Sequence, residues 1–374
     1  MSHPIVRAAI AALPVYNSGE SPEVLQRALG LERIIKLDSN ENTLGASAAA
    51  IAAAGQAVAN MHRYPDRDET ELRALLGDKL GVDASRFIFS GGSEDVLSIV
   101  YRMVLEPGDE VVTLTPGFGL HAICAQACGA NVTLLGHQPD WGFPVDQMCT
   151  ALSRAPKVLA FASPSNPVGA MLSRVEIARI LDAQLPDTLL VFDEAYIEFA
   201  GQEWATWLLE RLARHACPWV VLRTFAKAYA LAGMRVGYGV VWDETFAIDF
   251  HKTRSPFNVN AVALAAAAAA VRDEASTARN VAALVRNRAH LAALLRAAEF
   301  RYAPSHGNFL FIDSGTNAVR FAAALRQRGV LVKPWLEPGY SQCLRATVGT
   351  EEECDLLVSA MVSARAALHT FAPG

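Results

Sequence analysis

Six lysines stand against 27 arginines in this chain, so arginine is the cation it uses wherever charge alone is wanted. One of the six, Lys227, lies in the stretch Thr224 to Tyr238, between apolar runs at Trp219–Leu222 and Val236–Trp242. Both runs read as buried strands, which puts a lysine on an irregular connection between two core elements. A primary amine there can form a Schiff base with a carbonyl, and desolvation lowers its pKa by disfavouring the ammonium. Taken alone, the stretch also admits a lysine whose stem snorkels out of a loop.

Other segments gain meaning beside it. Ser90-Gly-Gly-Ser-Glu-Asp95 joins a strand pattern to a helix pattern, and its glycines free backbone N–H groups at a helix start to hold a phosphate. A helix cap with two turn glycines is the plainer alternative. Ser163-Pro-Ser-Asn-Pro-Val-Gly169 ends another strand and leaves the Asn166 amide to donate into a cleft. Asp193 closes the apolar run of Val191-Phe-Asp-Glu-Ala-Tyr196, and a buried carboxylate needs a cationic or hydrogen-bonding partner. Arg235, eight residues after Lys227, can grip a phosphate with two N–H groups.

The elements that would position these residues alternate. Strand patterns at 87–89, 110–114, 131–135, 157–162, 188–193, 219–223 and 236–241 have helical patterns between most of them. Such alternation predicts an α/β fold with a mostly parallel sheet covered on both faces. A polar loop at Ser39–Gly45 leads into an alanine-rich helix ending near Asn60. Arg63-Tyr-Pro-Asp66 is a turn, because Pro65 disfavours helix at Tyr64 and Asp66 can cap the helix predicted over 68–80. After Pro256 come helices over 259–273 and 276–298. Short strands at 308–312, 330–333 and 343–347 follow, with helices at 316–328 and 351–368. This predicts a large domain over 46–256 and a smaller α+β domain over 257–374, with the N-terminal segment 1–45 joining the smaller one.

With 52% apolar residues, a net charge of −5 and no basic run, nucleic acid and anionic membrane are not expected partners. The apolar stretch Ala8–Val15 is broken by Pro14 and makes a poor signal peptide. The alanine-rich run Ala261–Val271 falls far short of the roughly 20 residues a membrane span needs. Six scattered cysteines form no zinc or disulfide pattern, which fits a cytoplasmic location.

In a parallel sheet, ligands gather at the carboxyl ends of the strands. A phosphate on the Gly92–Asp95 helix start, a pyridinium nitrogen against Asp193 and an aldehyde on Lys227 together describe pyridoxal 5'-phosphate. From here a resemblance is plain. Tyr16–Gly19, Asn40-Glu-Asn-Thr-Leu-Gly45, Arg63–Asp66, Gly92–Asp95, Ser165–Gly169, Phe192–Tyr196, the lysine stretch, Ser305–Asn308 and Leu344–Thr350 occur in one order. The chain resembles the fold-type I pyridoxal-phosphate aminotransferases over nearly its whole length, and within them the histidinol-phosphate aminotransferases.

The resemblance implies catalytic roles for Lys227, Asp193 and Tyr196. It implies that Tyr196 and Asn166 bond the cofactor's ring oxygen, that Phe118 stacks on the ring, and that Thr224, Arg235 and the backbone at Ser93 and Glu94 hold the phosphate. Tyr64 resembles a tyrosine reaching the neighbouring subunit's phosphate, which implies a homodimer with shared sites. Arg345, Lys333, Tyr16 and Asn166 are implied at the substrate. There are departures: Ala226 stands where serine is common, Thr43 replaces a usual proline, and Ser-Glu-Asp at 93–95 reverses a usual order. His121 and Phe257 stand where tyrosines are frequent, and Lys333 where arginine is.

The implied reaction is transamination between histidinol phosphate and 2-oxoglutarate, giving glutamate, with Lys227 as general base. Aromatic amino-acid transamination uses the same machinery. Decarboxylation of a phosphorylated amino acid is a third reading.

Overall fold

The computed structural model describes residues 5–15 and 19–370. Its centre is a seven-stranded sheet in the order Phe87–Ser90, Gly237–Val241, Trp219–Thr224, Leu189–Asp193, Val158–Ala162, Glu110–Thr115, Asn131–Gly136. The last five run parallel, and Gly237–Val241 is antiparallel to both of its neighbours. That reversal follows from the connection before it. Residues 225–236 contain only a short 3₁₀ turn, so no helix carries the chain back across the sheet as a parallel pairing requires.

Successive residues on a strand face opposite sides, and the core divides accordingly. Leu159, Phe161, Leu190, Phe192 and Val221 join one apolar cluster. Val158, Ala160, Leu189, Val191 and Val220 join another, with the buried face of helix Ser93–Val104. Both faces are therefore covered, which explains why these strands read as unbroken apolar runs.

The remaining strands belong to the C-terminal part. A four-stranded antiparallel sheet has the order Lys333–Pro334, Cys343–Thr347, Phe309–Asp313, Arg301–Tyr302. The single strand predicted over 330–333 is two pieces: Val330–Leu331 pairs instead with Ile35–Lys36, in parallel. Pro334, which has no N–H, lies at a position whose N–H would face away from Cys343–Thr347, and Trp335 N still donates to Cys343 O at 2.9 Å. The N-terminal segment is thus stitched onto the C-terminal part, and Leu37 continues the link through bonds to Leu331 and Thr347.

Helix Ala261–Arg272 packs against Ala48–Val58 and Thr70–Leu80. Its small buried residues, Ala263, Ala266, Ala267 and Ala270, let the helices approach closely. Helix Glu274–Ala297 packs instead on Glu351–Thr370. The change of packing partner falls at Asp273, which caps the second helix by accepting from Ser276 N at 3.2 Å.

One contact ties the sheet to the loop beside it. A Cβ on Gly237 would meet Ser93 N at 2.3 Å and Gly92 C at 2.6 Å, both backbone atoms. Gly237→Ala should therefore push the strand from the helix start and cost about 1–3 kcal/mol. A thermal midpoint equal to that of the parent protein would show that this approach is not needed.

Candidate active site

Strand Leu189–Asp193 delivers Asp193 to the edge of a cleft of about 480 Å³. The carboxylate is only 6% exposed. Its Oδ1 accepts from Ala195 N at 3.0 Å, and its Oδ2 from His121 Nε2 at 3.3 Å. Burying a carboxylate is costly without such partners. His121 is itself buried and meets Phe118 edge-on at 5.5 Å, so an imidazole fills the place where the sequence departs from tyrosine.

The next residue points the other way. Glu194 is buried and takes two bonds from Arg223, at 2.9 and 2.6 Å, while Arg223 also donates to Ala205 O at 2.7 Å. Desolvation pushes the Glu194 carboxyl up, and Arg223 opposes it. Burial alone would weaken the guanidinium's charge, but Glu194 outweighs that and holds Arg223 protonated.

Lys227 lies where expected, on the connection after Trp219–Thr224, and the turn is held by Ala226 N donating to Thr224 Oγ1 at 3.1 Å. Its Nζ donates to Ser39 O at 3.1 Å and stands 5.9 Å from the centre of the Tyr196 ring. Burial, and then the Arg345 cation, lower its pKa to about 8. Its backbone carbonyl accepts from Asn42 Nδ2 at 3.2 Å. Residues 39 and 42 thus hold both ends of the lysine.

The same segment reaches the other site residues. Arg345 Nη2 donates to Asp38 O at 2.6 Å, and its Nη1 donates to Asn166 Oδ1 at 2.7 Å. Asn40 Nδ2 donates to the Tyr196 hydroxyl at 2.9 Å, and the Tyr196 ring packs edge-on against Phe309 at 5.0 Å. Lys333 is Arg345's register partner on the adjoining strand, and burial followed by the Arg345 charge lowers its pKa.

At the far end Gly92, with φ of 114°, precedes helix Ser93–Val104. Glu94 and Asp95 in the first turn suit the helix dipole. Arg235, at φ 58°, donates to Gly91 O at 3.2 Å and to Glu94 Oε1 at 2.5 Å. A Cβ on Gly92 would lie 2.8 Å from the Arg235 guanidinium, so the glycine is what lets that cation cover the helix start.

The cleft brings together Ser93, Glu94, Phe118, Asn166, Asp193, Tyr196, Thr224, Lys227, Arg235, Lys333 and Arg345. Tyr64 is not among its lining residues. That side chain is 81% exposed and stacks on Phe257 at 4.7 Å. Its loop is fixed from below by Arg254, which bonds Glu69 Oε1 and Arg67 O, each at 2.6 Å. Tyr16 lies outside the described residues. Sequence reasoning missed Asp38, Ser39 and Asn40 as individual contributors, and it missed the wall of Trp335 and Glu337, whose carboxylate accepts from Thr115 Oγ1 at 2.7 Å. Asn40 sat inside a recognised motif, but its contacts lie more than 150 residues away in sequence.

The comparisons with known proteins agree with this geometry. The family described as aminotransferase class I and II matches residues 32–361. Histidinol-phosphate aminotransferase 1 of Mesorhizobium japonicum is 42% identical over 360 residues, 96% of this chain and 97% of its own. Histidinol-phosphate aminotransferase 3 of Rhizobium meliloti is 37% identical over 356 residues, covering 95% and 96%. The crystal structure of histidinol-phosphate aminotransferase from Sinorhizobium meliloti, in complex with pyridoxal-5'-phosphate, superposes with a TM-score of 0.89. It is 25% identical, and the match covers 98% of this chain and 99% of that one. On this evidence the chain belongs to the class I and II aminotransferases.

Proposed function

We infer that this protein transfers the amino group of histidinol phosphate to 2-oxoglutarate, using pyridoxal phosphate, in histidine biosynthesis. The observation that carries the reading is the Lys227 amine, drawn down to about 8 in a cleft it shares with the buried carboxylate of Asp193. The donor set fits the cofactor at both ends. Thr224, Arg235 and the N–H groups at Ser93 and Glu94 form an anion cradle at a helix start. Asp193 would hold the ring nitrogen, Asn166 and Tyr196 the ring oxygen, and Phe118 the ring face. Bound there, pyridoxal phosphate supplies an electron sink that makes the substrate's Cα proton acidic.

The chain's own residues do the rest. Lys227 Nζ, as the neutral amine, would take the donor's Cα proton and pass it to the carbon that carried the cofactor's aldehyde. His121 and Ala195 keep the Asp193 carboxylate fixed. Arg345, anchored by Asn166 and Asp38 O, meets the substrate's anionic group with Lys333 on the next strand. Tyr16 is assigned to the same end of the substrate. Tyr64 stands exposed beside Phe257 and serves a second copy's phosphate site in a homodimer. Exposed Ile51 and Val58, from the helix before that loop, and Met61 just after it extend the apolar surface such a dimer would cover. No helix among the described residues is long and apolar enough to cross a membrane. We place the protein in the cytoplasm, as its biosynthetic relatives suggest.

Because the folded amine deprotonates near pH 8, cofactor-free protein should condense with a carbonyl reagent at a rate that rises through about pH 8 and then levels. An ordinary lysine would go on gaining reactivity to beyond pH 10. Lys227→Ala should lose this labelling and nearly all turnover, since covalent anchor and base vanish together. A variant with normal turnover and no added amine would refute the assignment.

Lys333→Met should cost histidinol phosphate on the order of 1.5–3 kcal/mol in kcat/KM, the range for a charged hydrogen bond, and cost phenylalanine much less. Equal losses, or a parent enzyme that prefers phenylalanine, would make aromatic amino acids the substrates.

A further inference from the structure

We propose that Asn40 is a positioning residue that fixes the Tyr196 hydroxyl as a hydrogen-bond donor into the cleft, an inference that rests on reading the cleft as a pyridoxal-phosphate site. Asn40 is 1% exposed and has φ of 52°, a left-handed conformation that asparagine tolerates better than most residues. Every polar group it has is engaged. Its N–H donates to Thr347 Oγ1 at 2.9 Å, and its carbonyl accepts from Asn308 Nδ2 at 3.0 Å. Its Oδ1 accepts from the Thr347 hydroxyl at 3.4 Å, and its Nδ2 donates to the Tyr196 oxygen at 2.9 Å.

These contacts orient the amide. Thr347 claims the oxygen, so the nitrogen faces the phenol. An amide nitrogen cannot accept, so Tyr196 accepts at this contact and its own proton must point elsewhere. The phenol lines the cleft. Asn166 is set from the other side in the same way: Arg345 claims its Oδ1 at 2.7 Å, and its Nδ2 is the end left to donate. Two donors, each turned by a neighbour, are thereby presented to the cofactor's ring oxygen. A ring oxygen that receives both bonds is stabilised as an anion and holds an adjacent proton less tightly. The pH midpoint of the visible absorption of the loaded protein reports that proton.

Asn40→Asp keeps the volume and the left-handed tolerance but replaces the donor with acceptors, so the Tyr196 proton turns toward the new carboxylate. The absorption midpoint should rise by about one pH unit or more, with faster release of pyridoxal phosphate. In a Tyr196→Phe background the same substitution should add little, because the two residues act through one bond. Asn40→Gly also accepts the backbone angle, and it should give a smaller rise that again disappears in the Tyr196→Phe background. It carries the test should the aspartate variant not fold. An unmoved midpoint in a folded variant, with only a lower thermal midpoint, would overturn the proposal by making Asn40 merely structural. So would an equal shift with and without the Tyr196 hydroxyl, which would mean that charge alone is responsible. A parent protein that takes up no pyridoxal phosphate and shows no visible band would instead overturn the cofactor reading on which the inference rests.

Discussion

Pairing of Asp193 with Ala162 on one side and Leu222 on the other sets the register of three parallel strands, the third running on to Thr224, and the cleft depends on that register. It brings Asp193, the loop carrying Asn166, and the turn from Thr224 to Lys227 to one edge. A slip of one residue would exchange the faces of Asp193 and Glu194. The buried Glu194–Arg223 pair opposes such a slip, because both partners are desolvated and bonded to each other. Removing one partner of a pair like this costs about 3–5 kcal/mol. Whatever that pair contributes to net stability, it specifies which carboxylate faces the chemistry.

The second constraint comes from the N-terminal segment. It pairs with Val330–Leu331, then crosses the cleft and touches Arg345, Lys227 and Tyr196 in consecutive residues. Two of these contacts use peptide carbonyls, Asp38 O for Arg345 and Ser39 O for Lys227. The choice has an electrostatic consequence. A carboxylate at the Ser39 position would stabilise the ammonium and raise the lysine's pKa, whereas a carbonyl orients the amine and leaves desolvation in control. The lysine is held without being neutralised by its holder.

The strands of the large sheet were legible because they are buried on both faces and so appear as short apolar runs rich in valine, leucine and phenylalanine. Asp193 and Lys227 stood out because each interrupts such a run with a group that burial penalises. The small lobe was less legible. Val330–Leu331 and Lys333–Pro334 belong to different sheets, and nothing local marks the change. His121, read only as a departure from tyrosine, turned out to face Asp193 from 72 residues away. Asn40 works through Tyr196, Asn308 and Thr347, all distant in sequence. Partnerships of this kind arise only when distant segments fold together, so residue types and spacing could flag the individual groups but not their pairing.

Lys333 and Arg345 present a final physical question, since like charges directly opposite on neighbouring strands destabilise a sheet. Arg345 is also one of the cations that depress the Lys227 amine, and it lowers Lys333 in the same way. Both cations line the cleft, and Asp38 offsets part of the effect on Lys333. An anion placed between the two side chains turns their repulsion into two attractions, and a dianion gains from both more than a monoanion does. On the proposed reading, a phosphate-bearing donor would therefore gain more from this pair than a donor with a single carboxylate. Screening of such an attraction is limited, because Arg345 is buried and Lys333 half-buried.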